Sequence, residues 1–138
     1  MWVLKAFAAG FIATLVFHQG LFAVFHAVGL VPVAAFNLAP VPPFGVPSVI
    51  SLAFFGGLWG LPTAWLIRHA TGARYWLKAL VFGAIGPTTV AMLLVFPLKG
   101  LAVNSQIVIG GLLLNGAWGL GAALFLRLFK TSIEARHP

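Results

Sequence analysis

The chain reads as an all-α integral membrane protein, a four-helix bundle built from two tandem helical hairpins in a parallel pseudo-repeat. Three observations lead there: 62% hydrophobic residues against 7% charged, four apolar stretches of spanning length, and an internal repeat. A soluble domain carries about 25% charged and about 45–50% apolar residues. This composition cannot cover a water-facing surface.

The four stretches lie at about 6–29, 48–67, 77–98 and 106–128, each near the ~20 residues that cross a bilayer. Together they make residues 1–138 a single transmembrane domain. The first is too long for the ~7–15-residue core of a signal peptide. It is therefore read as a retained helix, although Val33-Ala34-Ala35 would make a passable cleavage site.

Orientation follows from charge. Lys5, Arg68, Arg74, Lys78, Arg127, Lys130 and Arg136 flank one set of span ends as membrane anchors, and only Lys99 falls at the other. Seven of eight basic residues on one side place both termini in the cytoplasm of a multi-pass inner-membrane protein of a bacterium.

The repeat sets the architecture. Trp2-Val3-Leu4-Lys5-Ala6, followed by Gly10, recurs as Tyr75-Trp76-Leu77-Lys78-Ala79, followed by Gly83, an offset of 73. Gly57-Leu58-Trp59-Gly60-Leu61, then Ala64 and Arg68, recurs as Gly116-Ala117-Trp118-Gly119-Leu120, then Ala123 and Arg127, an offset of 59. Repeat 1 runs over about 1–69 and repeat 2 over about 74–130, with 14 surplus residues in the first loop. Two spans per unit preserve orientation, so the halves are expected to relate by an axis along the membrane normal.

Helices in lipid associate by close backbone approach, because the tails are as apolar as Leu. The expected packing residues are Gly10, Ala13 and Gly20 in the first span and Gly57 and Gly60 in the second. Gly83 and Gly86 serve the third, and Gly116 and Gly119 the fourth, so that small residues lie where the two copies touch. Pro62 and Pro87 each remove a helical donor and predict kinks. Trp2, Tyr75 and Trp76 suit an interfacial belt; Trp59 and Trp118 are expected to pack.

Chemistry is limited by what is missing. With no cysteine there are no disulfides, thiolate metal sites or thiol nucleophiles. Glu134 is the single acid, which leaves no carboxylate pair for hydrolysis and no buried acid for proton coupling. The net charge of +7 sits at the ends of apolar runs, which fits anionic headgroups of the lipid bilayer. No base-reading module accompanies it, so no nucleic-acid partner is predicted. Neither a cofactor nor a metal site is predicted, and the class is non-enzymatic.

His18, Gln19, Thr88 and Asn115 are the polar intramembrane candidates, because such residues in a span mark sites or interfaces. Thr14, Thr63 and Thr89 can bond their own helix. In an ideal helix His18 points away from Gly20, on a face with Phe22 and Phe25. These two, with His26, form a possible interface or ligand surface; turned inward, His18 would meet Asn115 or Thr88. His18 and His26 are about 12 Å apart along the axis, too far to share one ion. The loop Val31–Pro47 holds five prolines, no charge, and Phe36, Leu38 and Phe44. Without charge it should rest on the bilayer interface, cap the bundle or dock a partner, and capping or docking is expected rather than re-entry into the bilayer.

The predicted function is therefore association, as a homo-oligomer or as an accessory subunit of a membrane complex. Two alternatives stand beside it. One is a small transporter or channel lined by His18, Gln19, Thr88 and Asn115. The other is a haem- or quinone-associated subunit, with a haem shared between two chains.

Overall fold

The computed structural model describes residues 1–134 and is built of four long helices. They are α1 (Trp2–Ala27), α2 (Ser48–Ile67), α3 (Gly72–Leu98) and α4 (Ser105–Glu134). A two-residue pair of strands, β1 (Pro40–Val41) and β2 (Val46–Pro47), closes the α1–α2 loop in antiparallel register. All four helices are long and apolar enough to cross a membrane. The anchor Arg136 lies outside the described residues.

Helix α2 matches its expected bounds, whereas α1 and α3 start about four or five residues earlier than hydropathy suggests. The reason is local. Hydropathy locates the lipid-compatible stretch, but Trp2-Val3-Leu4-Lys5 and Arg74-Tyr75-Trp76 carry no helix breaker, so backbone hydrogen bonding runs on through them. The helices also run on as helix through Pro62 and Pro87.

Both α1 and α3 end in the same way. Gly29 and Gly100 adopt positive φ of 79° and 67°. Leu30 N–H then reaches the Phe25 carbonyl at 2.8 Å, and Leu101 N–H reaches that of Phe96 at 2.9 Å. This is the Schellman closure, which satisfies the last carbonyls with a glycine in the left-handed region. The sequences Phe25-His-Ala-Val-Gly-Leu30 and Phe96-Pro-Leu-Lys-Gly-Leu101 carry it.

Each of these helices also contains one widened turn. Gln19 N–H bonds to the carbonyl of Thr14, and Phe96 N–H to that of Ala91, five residues back instead of four. A π turn of this kind inserts one extra residue, which is about 100° of rotation for everything beyond it. That corrects the place of Gly20. It falls off the small-residue stripe, and a Cβ there would meet nothing within 4 Å.

The other glycines lie in tight contacts. A Cβ on Gly10 would come 3.0 Å from the Cα of Gly60, and one on Gly83 would come 2.7 Å from the Cα of Gly119. A methyl on Gly60 would run into the carbonyl oxygen of Ala6, and one on Gly119 into that of Ala79. These pairs repeat at the offsets of 73 and 59. Gly57 accommodates the ring of Phe7, Gly116 meets Leu80, and Gly86 receives the edge of Trp59.

The glycine-to-glycine contacts thus lie inside each hairpin, not between the halves as expected. Across the halves, α1 meets α4 through Ala13, Trp118 and Ala122, with Trp59 and Phe125 packed on them, and through Phe17 against Gly121. Bulky rings need a flat, small-residue wall opposite, and the alanines supply it. Large apolar side chains such as Phe55 and Leu93 point outward.

Candidate functional site

The four polar candidates form two separate pairs rather than one constellation. In the second hairpin, Asn115 Nδ2 donates to Thr88 Oγ1 at 2.9 Å, and Thr88 is buried. On α1, Gln19 Nε2 lies 3.2 Å from His18 Nδ1. Neither His18 nor Gln19 reaches Asn115, because the loop end of α1 faces the first loop.

Gln19 is the pivot of that end. It is only 6% exposed, and its Oε1 accepts the backbone N–H of Phe36 at 2.8 Å. Phe36 N–H can only donate, so the amide oxygen must face it. The NH2 group then faces His18 Nδ1, which must accept and so carries no proton. One side chain thus ties the π turn of α1 to the middle of the loop. Phe36 takes a positive φ of 57° there, a conformation that costs a bulky residue energy and persists only where neighbours hold it.

The rest of the loop is tied to α2. Val49 N–H donates to the Asn37 carbonyl and Ser48 N–H to that of Ala39, each at 2.9 Å. These two amides head a helix whose N-cap residue, Pro47, has no capping side chain. Loop carbonyls take that role. Asn37 Oδ1 also accepts the N–H of Ala39 at 2.9 Å, an Asx-type turn. His26 Nδ1 lies 3.1 Å from the Val31 carbonyl, and Phe22 and Phe25 are half-buried beside it along α1. The backbone of the loop is therefore ordered, yet Phe36, Leu38 and Phe44 remain 47%, 72% and 88% exposed. The loop does not cover the helix ends with its apolar side chains. It holds them outward.

The other buried polar groups bond to backbone carbonyls. Thr14 Oγ1 donates to the Gly10 carbonyl at 2.9 Å, and Thr63 Oγ1 donates to that of Trp59 at 2.8 Å. Trp118, 2% exposed, also donates its indole N–H to the Gly10 carbonyl at 3.0 Å. Among the described residues no buried side-chain nitrogen or oxygen lacks a partner. Sequence reasoning placed Trp118 as a packing residue and missed this hydrogen bond; its span-centre position beside Gly116 and Gly119 was the available signal.

At the opposite end lies a cleft of about 920 Å³ whose lining includes Lys5, Arg68, Arg127 and Lys130, one each from α1 and α2 and two from α4. The Arg68 guanidinium stacks 4.2 Å from the Trp65 ring centroid and donates to the Trp65 carbonyl. Arg127 sits 5.8 Å and 5.6 Å from the rings of Tyr75 and Trp76. Tyr75 was expected in an interfacial belt. Its hydroxyl donates to the Ala123 carbonyl at 2.6 Å. Arg74 and Lys78 do not line the cleft.

No family model, curated protein or solved structure matches the chain.

Proposed function

We propose that this chain is a multi-pass protein of a bacterial inner membrane, with both termini cytoplasmic, that works by associating with a second copy or with another membrane subunit. Its scaffold is a bundle made by duplication of a helical hairpin. Close contacts that recur at matched positions in the two hairpins support the duplication. The observation that carries the association reading is the first loop: its backbone is fixed by Gln19 and by the start of α2, while its aromatic and aliphatic side chains stand exposed. Ordering a chain costs conformational entropy, and an uncharged loop ordered to display apolar groups is suited to docking. The transport reading gains nothing from an interior whose polar groups are engaged with one another.

Size-exclusion chromatography with light scattering in a mild maltoside detergent tests it. The wild-type chain is expected to run as two or more copies, or with one stoichiometric membrane subunit. A Leu38→Ser/Phe44→Ser variant is expected to run as a monomer with unchanged helicity. A wild-type chain that is monomeric at every concentration, with no stoichiometric partner, defeats the reading.

A further inference from the structure

We infer that two copies of this chain pair side by side at mid-span through a reciprocal hydrogen bond, His18 of each copy donating to Asn115 of the other. The inference rests on the association reading and commits it to a second copy. His18 supplies the donor. Its Nδ1 faces the Gln19 amide NH2 and carries no proton. An imidazole keeps at least one proton, so Nε2 holds it and can only donate. A metal or haem iron bound at Nε2 would need that proton moved to Nδ1, against the Gln19 NH2. The geometry therefore makes His18 a hydrogen-bond donor and not a ligand.

The acceptor is on α4. Asn115 gives Nδ2 to Thr88, which leaves its Oδ1 to accept. Among the described residues neither His18 Nε2 nor Asn115 Oδ1 meets a partner. Both atoms reach the molecular surface, because no buried side-chain nitrogen or oxygen there is left unpaired. Their depths agree as well. Lys5 of α1 and Lys130 of α4 line one cleft, so α4 runs back along α1. His18 lies 13 residues from Lys5 and Asn115 lies 15 from Lys130, about 20 and 22 Å along the two axes. Acyl chains offer no donor or acceptor at that depth, and a polar group unmet there is costly. One donor and one acceptor at one level of one chain are self-complementary under a two-fold axis along the membrane normal. The hairpin contact needs neither group, since Ala91 and Gly56 stand at the matching positions. The same two helices carry Gly20 and Gly110, where a Cβ would meet nothing within 4 Å. Such bare positions let the backbone of another helix come close.

The chain has no cysteine, which makes site-directed cross-linking in native membranes clean. Two differently tagged full-length copies are co-expressed, one with His18→Cys and one with Asn115→Cys, and treated with an ethylene-bridged bis-methanethiosulfonate. The reciprocal bond stays intact in that pair. Mixed-tag dimers are expected from it and not from His18→Cys with Leu93→Cys, an exposed position on α3. Equal yields from the two pairs would mark random collision and overturn the inference. In light scattering, His18→Leu and Asn115→Leu are each expected to weaken dimerisation about eightfold, and the double variant no further, because each removes the same two bonds. Additive losses overturn it. Nitrogen-15 histidine spectra of the unaltered chain need no substitution: a proton on Nδ1 of His18 overturns it too. A wild-type dimer without the 18-to-115 cross-link, or a complex with a different subunit alone, sinks this inference and leaves the association reading standing. A partnerless wild-type monomer defeats both.

Discussion

The two hairpins make the same contact at their centres and differ above it. In both, a glycine on the first helix meets a glycine on the second, and the next turn presses a glycine against an alanine carbonyl. Above that level they part. In the first hairpin Gly56 leaves room for the Thr14 hydroxyl; at the offset of 59 the second hairpin has Asn115, whose amide reaches Thr88. One hairpin closes by removing a side chain and the other by adding a hydrogen bond. The connections differ in the same sense: 20 residues separate Ala27 from Ser48 and six separate Leu98 from Ser105. Helix α4 is capped by Asn104, whose Oδ1 accepts the N–H of Ile107 at 2.9 Å. Helix α2 is capped by the folded loop. A shared close contact with ends that differ is what the proposed duplication would leave.

The sharpest way to break this comparison is at the shared contact. Gly60→Ala and Gly119→Ala each drive a methyl into a backbone carbonyl that cannot move aside, and each is expected to destabilise the fold by about 3 kcal/mol. Reversible unfolding in mixed micelles measures it, and equal penalties in the two hairpins would support their equivalence. A cost below about 0.5 kcal/mol at either site would show that the helices do not meet there. Gly20→Ala is the control, expected to be neutral or slightly stabilising because nothing is near it and alanine favours helix.

The tryptophans come next. Trp118→Phe loses the hydrogen bond to the Gly10 carbonyl and is expected to cost about 1.5 kcal/mol. Trp59→Phe, at the matching position, loses no hydrogen bond recorded among the described residues and is expected to cost about half as much. Reversed sizes in the same unfolding assay would mean that α1 and α4 are not joined as described.

The most local effect concerns the loop. Gln19→Leu removes the acceptor for Phe36 N–H and is expected to cost about 1 kcal/mol, visible mainly as faster amide exchange at Phe36 and its neighbours. Exchange at Gly60 is expected to stay unchanged. If Phe36 remains protected, the loop is held by α2 alone.

Several of these features can be read from the chain. Hydropathy locates the four helices because lipid-compatible length is a local sum. The spacing of Gly10, Gly60, Gly83 and Gly119 marks their close approach because small residues in an apolar helix have few other uses. Helix-wheel reasoning fails at Gly20, where it assumes that every turn is alike. Gln19 stands out as the one amide in its span, but its partner is the backbone of Phe36, 17 residues away, and a backbone N–H carries no sequence signature.

By itself, then, the sequence determined that four apolar helices form, where their small residues lie, and that most of the charge gathers at one end. The tertiary structure alone decided which glycines touch, where one extra residue widens α1 and α3, and that four cations meet in a single cleft. The physical reason is range. Hydropathy, glycine spacing and charge are properties of neighbours along the chain, whereas a widened turn, a buried indole bond and a shared cleft are set by whichever helix packs alongside.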